Sequence, residues 1–240
     1  MEIDITGLET GVHVNLFGYD LVIFSGLIFI MIALTVMLVL GVALRMAVNH
    51  QDLSKKPSPI LVIAETLWTF CGGAVAGLDE KTHEQTLHGF AANLFVFLLL
   101  INTAGLWGFE PPASNAFIAL SLGLMVGVMV HFLGIQHGFG EYIKSYFKPY
   151  AIMFPINLME VFSQIVSISM RLFGNMLAGI VLAQLMKMAL GGLGSIGILV
   201  GYPTIGGLLS MYSDLFIAAI QSLIFMTLTI SYIKGKLLPE

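Results

Sequence analysis

The sequence predicts an all-α polytopic membrane protein, and three observations carry that prediction. Of 240 residues, 58% are hydrophobic and only 10% charged, whereas an ordinary soluble domain carries about 25% charged residues. Uncharged runs cover residues 21–44, 86–109, 111–140, 172–186, 188–213 and 215–233, and about 20 apolar residues suffice to cross a ~30 Å hydrocarbon core. Lys and Arg gather between alternate runs, as the positive-inside rule requires of loops on one side of a membrane. The formal net charge of −4 gives no reason to expect a nucleic-acid partner. A single cysteine, Cys71, excludes an internal disulfide or a Cys-based metal cluster, and no motif calls for a cofactor.

The elements follow in order. Residues 1–20 are acidic and lack Lys and Arg, and the run behind them is too long for a signal-peptide core. They are expected as a retained extramembrane tail. A first spanning helix over about 21–44 ends in "RMAVNHQDLSKKPSP", whose Arg45, Lys55 and Lys56 place it on the cytoplasmic side. Residues 59–77, "PILVIAETLWTFCGGAVAG", make a poor span because of Glu65 and their glycines, and are expected as an interfacial amphipathic helix. Helices over about 88–107 and 116–136, joined by the Pro-rich "WGFEPPASN", form an expected transmembrane hairpin. Two segments, about 151–190 and 203–233, flank the Gly-rich "GGLGSIGILVGYP". Both exceed a perpendicular crossing and should tilt strongly. Eight of the ten Lys and Arg residues then lie on the cytoplasmic side, with Lys187 outside and Arg171 buried between. The chain reads as one membrane domain, 1–240, with its N-terminus outside and its C-terminus cytoplasmic. It lacks the internal repeat of many secondary transporters.

Polar residues inside the last two helices carry the function. On a wheel of about 100° per residue, Glu160, Gln164, Ser167 and Asn175 fall within about 40° of Arg171. Ala178 continues that stripe and Gly174 lies beside it, so that a neighbouring helix can approach closely. In the last helix Ser210, Asp214, Ala218 and Gln221 form a second stripe, and the two stripes can face each other. An ionisable group at membrane depth costs several kcal/mol and usually marks an ion pathway. The plainer reading is an ion pair of Arg171 with Asp214 or Glu160 that locks helices together. His83, His88, His131 and His137 sit near predicted cytoplasmic ends as interfacial polar groups, and the pairs Gly123/Gly127 and Gly73/Gly77 have the spacing of close helix packing.

"MRLFGNMLAG" preceded by "FPINLME", the loop "EPPASN" and the final "SDLFIAAIQSLIFMTLTISYI" together resemble subunit a of the F-type ATP synthase. The resemblance covers most of the chain and is densest over residues 149–181 and 211–233. It implies one outer spanning helix, an interfacial helix, a transmembrane hairpin and two long tilted helices facing the c-ring. It further implies a non-catalytic subunit in an energy-transducing membrane, most simply a bacterial inner membrane. The implied partners are a ring of proteolipid c-subunits, peripheral-stalk b subunits, the lipid bilayer and the transported H⁺ or Na⁺.

Carried over by position, Arg171 matches the family's essential arginine, Asn175 the asparagine one turn later, Gln221 the glutamine facing the arginine, and Glu160 a glutamate before the helix centre. Two positions depart from better-known members: Ile180 stands where many have Glu or His, and Asp214 where some have His or Glu. The implied mechanism uses two offset half-channels separated by Arg171. Asp214 and its neighbours, with Asn115 from the loop, are expected in the outer one, and Glu160, Ser163 and Gln164 in the inner one. The alternative is a stand-alone secondary ion transporter whose binding site is Arg171 with Asp214.

Overall fold

The structure, a computed structural model, describes residues 11–16, 19–50, 58–75, 84–107, 109–137, 139–147, 150–192, 194, 201 and 204–237. It opens with an antiparallel hairpin, β1 (Gly11–Leu16) and β2 (Tyr19–Phe24), in register from Gly11↔Phe24 to Leu16↔Tyr19. Every other described element is helical, in keeping with the all-α expectation. Val12, Val14 and Leu16 alternate with His13 and Asn15, the period of a strand, so residues 21–24 belong to β2 and the first helix, α1 (Ser25–Asn49), starts later than expected.

Among the described residues, four helices are long and apolar enough to cross a membrane: α1, α4 (Ala116–His137), α6 (Phe154–Gly191), and the last helix from Asp214. Two apolar helices are shorter. In α2 (Pro59–Val75) a proline opens the first turn, where its missing N–H costs nothing, and Ser58 O accepts from Leu61 N and Val62 N at 2.9 and 3.1 Å. In α3 (Glu84–Asn102) Thr103 closes the helix by donating back to Leu99 O and Leu100 O, and a 3₁₀ turn, Ala104–Trp107, follows. A short α5 (Phe139–Ser145) folds back on α4, with the Tyr142 ring seated against Gly134. The chain then re-enters through a 3₁₀ turn, Ala151–Met153.

The last helix is composite. α7 (Gly207–Met211) runs into a π-helical segment, Tyr212–Ile217, and then α8 (Ala218–Leu237). π-Bulges are rare and concentrate at functional sites.

The core forms where α8 meets its neighbours. Phe225, Met226, Ile230 and Ile233 of α8 pack with Leu87, Ala91, Leu94, Leu98 and Ile101 of α3, both at the three- and four-residue spacing of a helix face. α8 also packs along α4, whereas α3 and α4 make little contact with each other. The expected hairpin is therefore split, with α8 lying between its two arms. α6 rests on α4 at Gly123 and Gly127, where the Ser169 hydroxyl and the Ile165 side chain occupy the space a Cβ would need. At α2 the glycine of close approach is Gly72, against His88, while Gly73 faces open space; Gly77 and His83 lie outside the described residues.

Candidate ion-translocation site

α6 buries Ile168, Ser169, Leu172 and Met176 and exposes the opposite face. On that face Glu160, Ser163, Ser167, Arg171 and Asn175 are exposed and Gln164 is half-buried. Gln164 Nε2 donates to Glu160 Oε1 at 2.9 Å, the (i, i+4) contact a helix permits. Arg171 stands near the middle of the 38-residue helix, about 26 Å from one end at ~1.5 Å per residue. It makes no hydrogen bond or ion pair with any described residue, so neither Asp214 nor Glu160 locks it. Large apolar side chains flank it, Met159, Phe162, Val166 and Met170 being 48–67% exposed.

The two polar stripes meet at one point. Asn175 Nδ2 donates to Gln221 Oε1 at 2.7 Å, joining α6 to α8. Gln221 is 1% exposed, and its Nε2 has no partner among the described residues. Beside it Ser222 Oγ donates to Ala218 O at 2.7 Å and accepts from Asn102 Nδ2 at 3.5 Å. Asn102, also 1% exposed, has no partner for its Oδ1 among the described residues. A buried polar group left unmatched costs about 1–3 kcal/mol, so this patch is a specific feature inside an apolar core. Asn102 and Ser222 escape a wheel centred on Arg171, because they reach the site from α3 and from the far side of α8.

Asp214 lies in the π segment. One residue inserted into a helix swings the faces on either side by about 100°, so Asp214 and Gln221 do not share the single straight stripe that regular α-helix predicts. Gln221 turns into the core, while the Asp214 carboxylate packs on the 3₁₀ turn, its Oδ2 lying 2.7 Å from where a Cβ on Gly105 would be. A side chain at 105 would displace it. Ser210 falls in α7.

Residues of α6, of the last helix and of the 105–111 segment line an open cavity of about 440 Å³. Asp214, Asn175, Gly105 and Ile180 line it, together with Glu110 and Lys187, which sequence reasoning did not single out. Glu110 belongs to the loop before α4 and Lys187 to α6, and nothing in the sequence pattern brings them to one wall. Asn115 is not on that wall. Its Oδ1 accepts from Phe117 N at 2.9 Å and so caps the start of α4, the ordinary role of asparagine at a helix N-terminus. A second cavity, about 10 Å³, lies between α4, α6 and α8 and is lined by His131, Gln164 and Tyr232 among others.

Next to it His131 Nδ1 bonds the Tyr142 hydroxyl, which bonds Tyr146 Oη at 2.7 Å. Burial, then the hydrogen bond and charge of Tyr146, push the Tyr142 phenol well above its ordinary range. His88 stacks on Trp68 with ring centroids 4.6 Å apart. Among the described residues no cluster of His, Cys, Asp and Glu could hold a metal ion.

The family description "ATP synthase A chain" matches residues 28–234. ATP synthase subunit a of Limosilactobacillus reuteri subsp. reuteri is 33% identical over 199 residues, covering 78% of this chain and 83% of the relative. That of Priestia megaterium is 34% identical over 202 residues, covering 78% and 82%. That of Enterococcus faecalis is 28% identical over 239 residues, covering 94% and 97%.

Proposed function

The chain belongs to the ATP synthase A chain family, and from that premise we propose that it is the proton-translocating stator of a rotary F-type ATP synthase, a non-catalytic membrane subunit. The observation that carries the reading is Arg171: a permanent cation, near the middle of a long apolar helix, exposed and unmatched by any described residue. An arginine at the centre of a bilayer costs about 2.5–3.5 kcal/mol on insertion scales, so its counter-charge must come from another subunit. A ring of c-subunits, each with a carboxylate at membrane depth, supplies one.

A c-subunit carboxylate can enter lipid only when neutralised by its ion. As it passes Arg171 the guanidinium takes over that role and forces the ion off. Arg suits this task because its charge is never given up and is weakly hydrated. The 440 Å³ cavity ends at Asn175, one turn from Arg171, and is read as the outer half-channel. Asp214 is the carboxylate that relays the ion there, with Ser210 beside it on the chain and Asn115 contributing only by capping α4 beyond the loop. Glu160, Ser163 and Gln164 line the inner half-channel, and Ser167 continues the face that meets the ring. Each proton moving through 100 mV releases about 2.3 kcal/mol, so several are needed per ATP.

The same reading lays α2 along the interface, tilts α6 and the last helix against the ring, and treats the chain as one membrane domain in a bacterial inner membrane. The N-terminus is then outside, the C-terminus is cytoplasmic, and the b subunits of the peripheral stalk hold the chain still. Sodium in place of the proton would use the same path, since the ion ligands sit mainly on the ring.

A stand-alone carrier would need Arg171 and Asp214 in one site. They make no bond, and Arg171 is not on the cavity wall. Reconstitution tests the choice: the chain alone should leave vesicles tight to ions, and adding the ring and stalk should permit flux. Flux through the chain alone would restore the carrier.

A further inference from the structure

The cavity that reaches Asn175 holds three ionisable side chains on its wall: Asp214 from the π segment, Glu110 from the loop ahead of Pro111, and Lys187 from α6. No other charged or titratable group among the described residues lines it. The two carboxylates lie at different levels. Glu110 and Lys187 are exposed, whereas Asp214 is half-buried against Gly105. At ~30 Å³ per water, a space of 440 Å³ holds on the order of ten waters, enough to connect them.

We propose that Glu110 is the proton-collecting carboxylate at the rim of this cavity, feeding Asp214, with Lys187 trimming the net charge that draws protons in. The inference rests on reading the cavity as the outer half-channel. Glu110 takes a proton from the outer solution and passes it through cavity water to the Asp214 carboxylate. Glu110 is thereby returned to its anionic form, and Asp214 hands the proton on to the ring carboxylate.

Supply is the reason a second acid matters. Even at a diffusion limit of about 10¹⁰ M⁻¹s⁻¹, a lone acid meets on the order of 100 protons per second at pH 8, so capture competes with turnover. A cleft lined by one sign of charge raises on-rates by about 10–10³-fold. Two carboxylates against one ammonium leave the wall with one net negative charge. Glu110→Gln cancels it and Lys187→Gln raises it to two. If Glu110 and Lys187 merely tied the loop to α6, the two substitutions would instead do the same damage.

The experiment is ATP synthesis by the assembled complex in vesicles, with the outer-side pH varied from about 6 to 8.5 at low ionic strength. Glu110→Gln should match the parent at pH 6 and fall about three- to tenfold at pH 8.5, consistent with losing electrostatic focusing. The deficit should shrink in high salt. Glu110→Asp should keep the parental profile, and Lys187→Gln should equal or exceed the parent at pH 8.5. Parental rates for Glu110→Gln at every pH, or parallel losses in Glu110→Gln and Lys187→Gln at every pH, would overturn the proposal. Asp214→Asn in the same assay separates the two levels of inference. If Asp214→Asn is impaired and Glu110→Gln is not, the role of Glu110 alone falls; if both are silent, the cavity is not the proton inlet.

Discussion

Gly123→Ala perturbs the contact that holds α6, and with it Arg171, in place. A Cβ at position 123 would press on Ser169 Oγ and come within 3.0 Å of the Ile165 carbonyl oxygen. The hydroxyl can rotate away, but it then gives up its 2.8 Å bond to Ile165 O, worth about 0.5–1.5 kcal/mol. The carbonyl belongs to the backbone and cannot rotate, so α4 and α6 must part by a few tenths of an ångström. Overpacking of this kind costs about 1–3 kcal/mol in all, a factor of roughly 5–150 in the unfolding equilibrium. Denaturant unfolding in detergent micelles, followed by helicity, measures it. Gly41→Ala is the control, because a Cβ there meets nothing within 4 Å; it should be neutral or gain about 0.5–1 kcal/mol from helix propensity. Adding Ser169→Ala to Gly123→Ala should recover part of the loss, with a coupling of at least about 0.5 kcal/mol. A Gly123→Ala variant as stable as Gly41→Ala would refute the packing argument.

Gly105→Ala should push the Asp214 carboxylate off the 3₁₀ turn and reduce proton pumping by assembled complexes severalfold, while the amount of complex recovered stays unchanged; an undiminished rate would show that Asp214 does not need that seat. Asp214→Asn should slow coupled transport and change its dependence on outer pH, with assembly retained, and ATP synthesis unchanged across pH would remove Asp214 from the path. Single cysteines at positions 55 and 144 should react with membrane-impermeant reagents from the cytoplasmic side. Exclusive labelling from the outside would invert the proposed orientation.

Much of the helical layout is legible in hydropathy alone, because water-to-lipid transfer dominates every other term in a chain so poor in charge. α4 begins at the expected residue, and α6 differs from its expected limits by a few residues. What hydropathy misses are features set by neighbours or by local backbone. The strands β1 and β2 have a period of two, and a search tuned to long apolar runs passes over it. The insertion of α8 between α3 and α4 depends on side-chain fit, which no single helix encodes. The π segment changes the face of Asp214 without changing composition, so a straight wheel places Asp214 and Gln221 together where the structure separates them. At the site, Arg171, Asn175 and Gln221 are readable because polar residues in an apolar helix stand out. Glu110, Lys187 and Asn102 lie near loops or helix ends, where polar residues are ordinary, and only the fold gives them meaning. Asn115 shows the converse: a polar residue in a suggestive loop that serves as a helix cap.

Arg171 is proposed to separate two half-channels by supplying the counter-charge for passing ring carboxylates, and ion pumping measured together with passive permeability, in vesicles of the assembled complex, reads that separation out. Arg171→Ala should abolish ATP-driven pumping and ATP synthesis while the complex still assembles, because the buried face of α6 is mostly apolar. A passive leak in the same vesicles would be the direct signature of joined half-channels. Arg171→Lys should also fail or work poorly, since an ammonium is more strongly hydrated and can lose its proton when buried. Normal coupled pumping by Arg171→Ala would contradict the account.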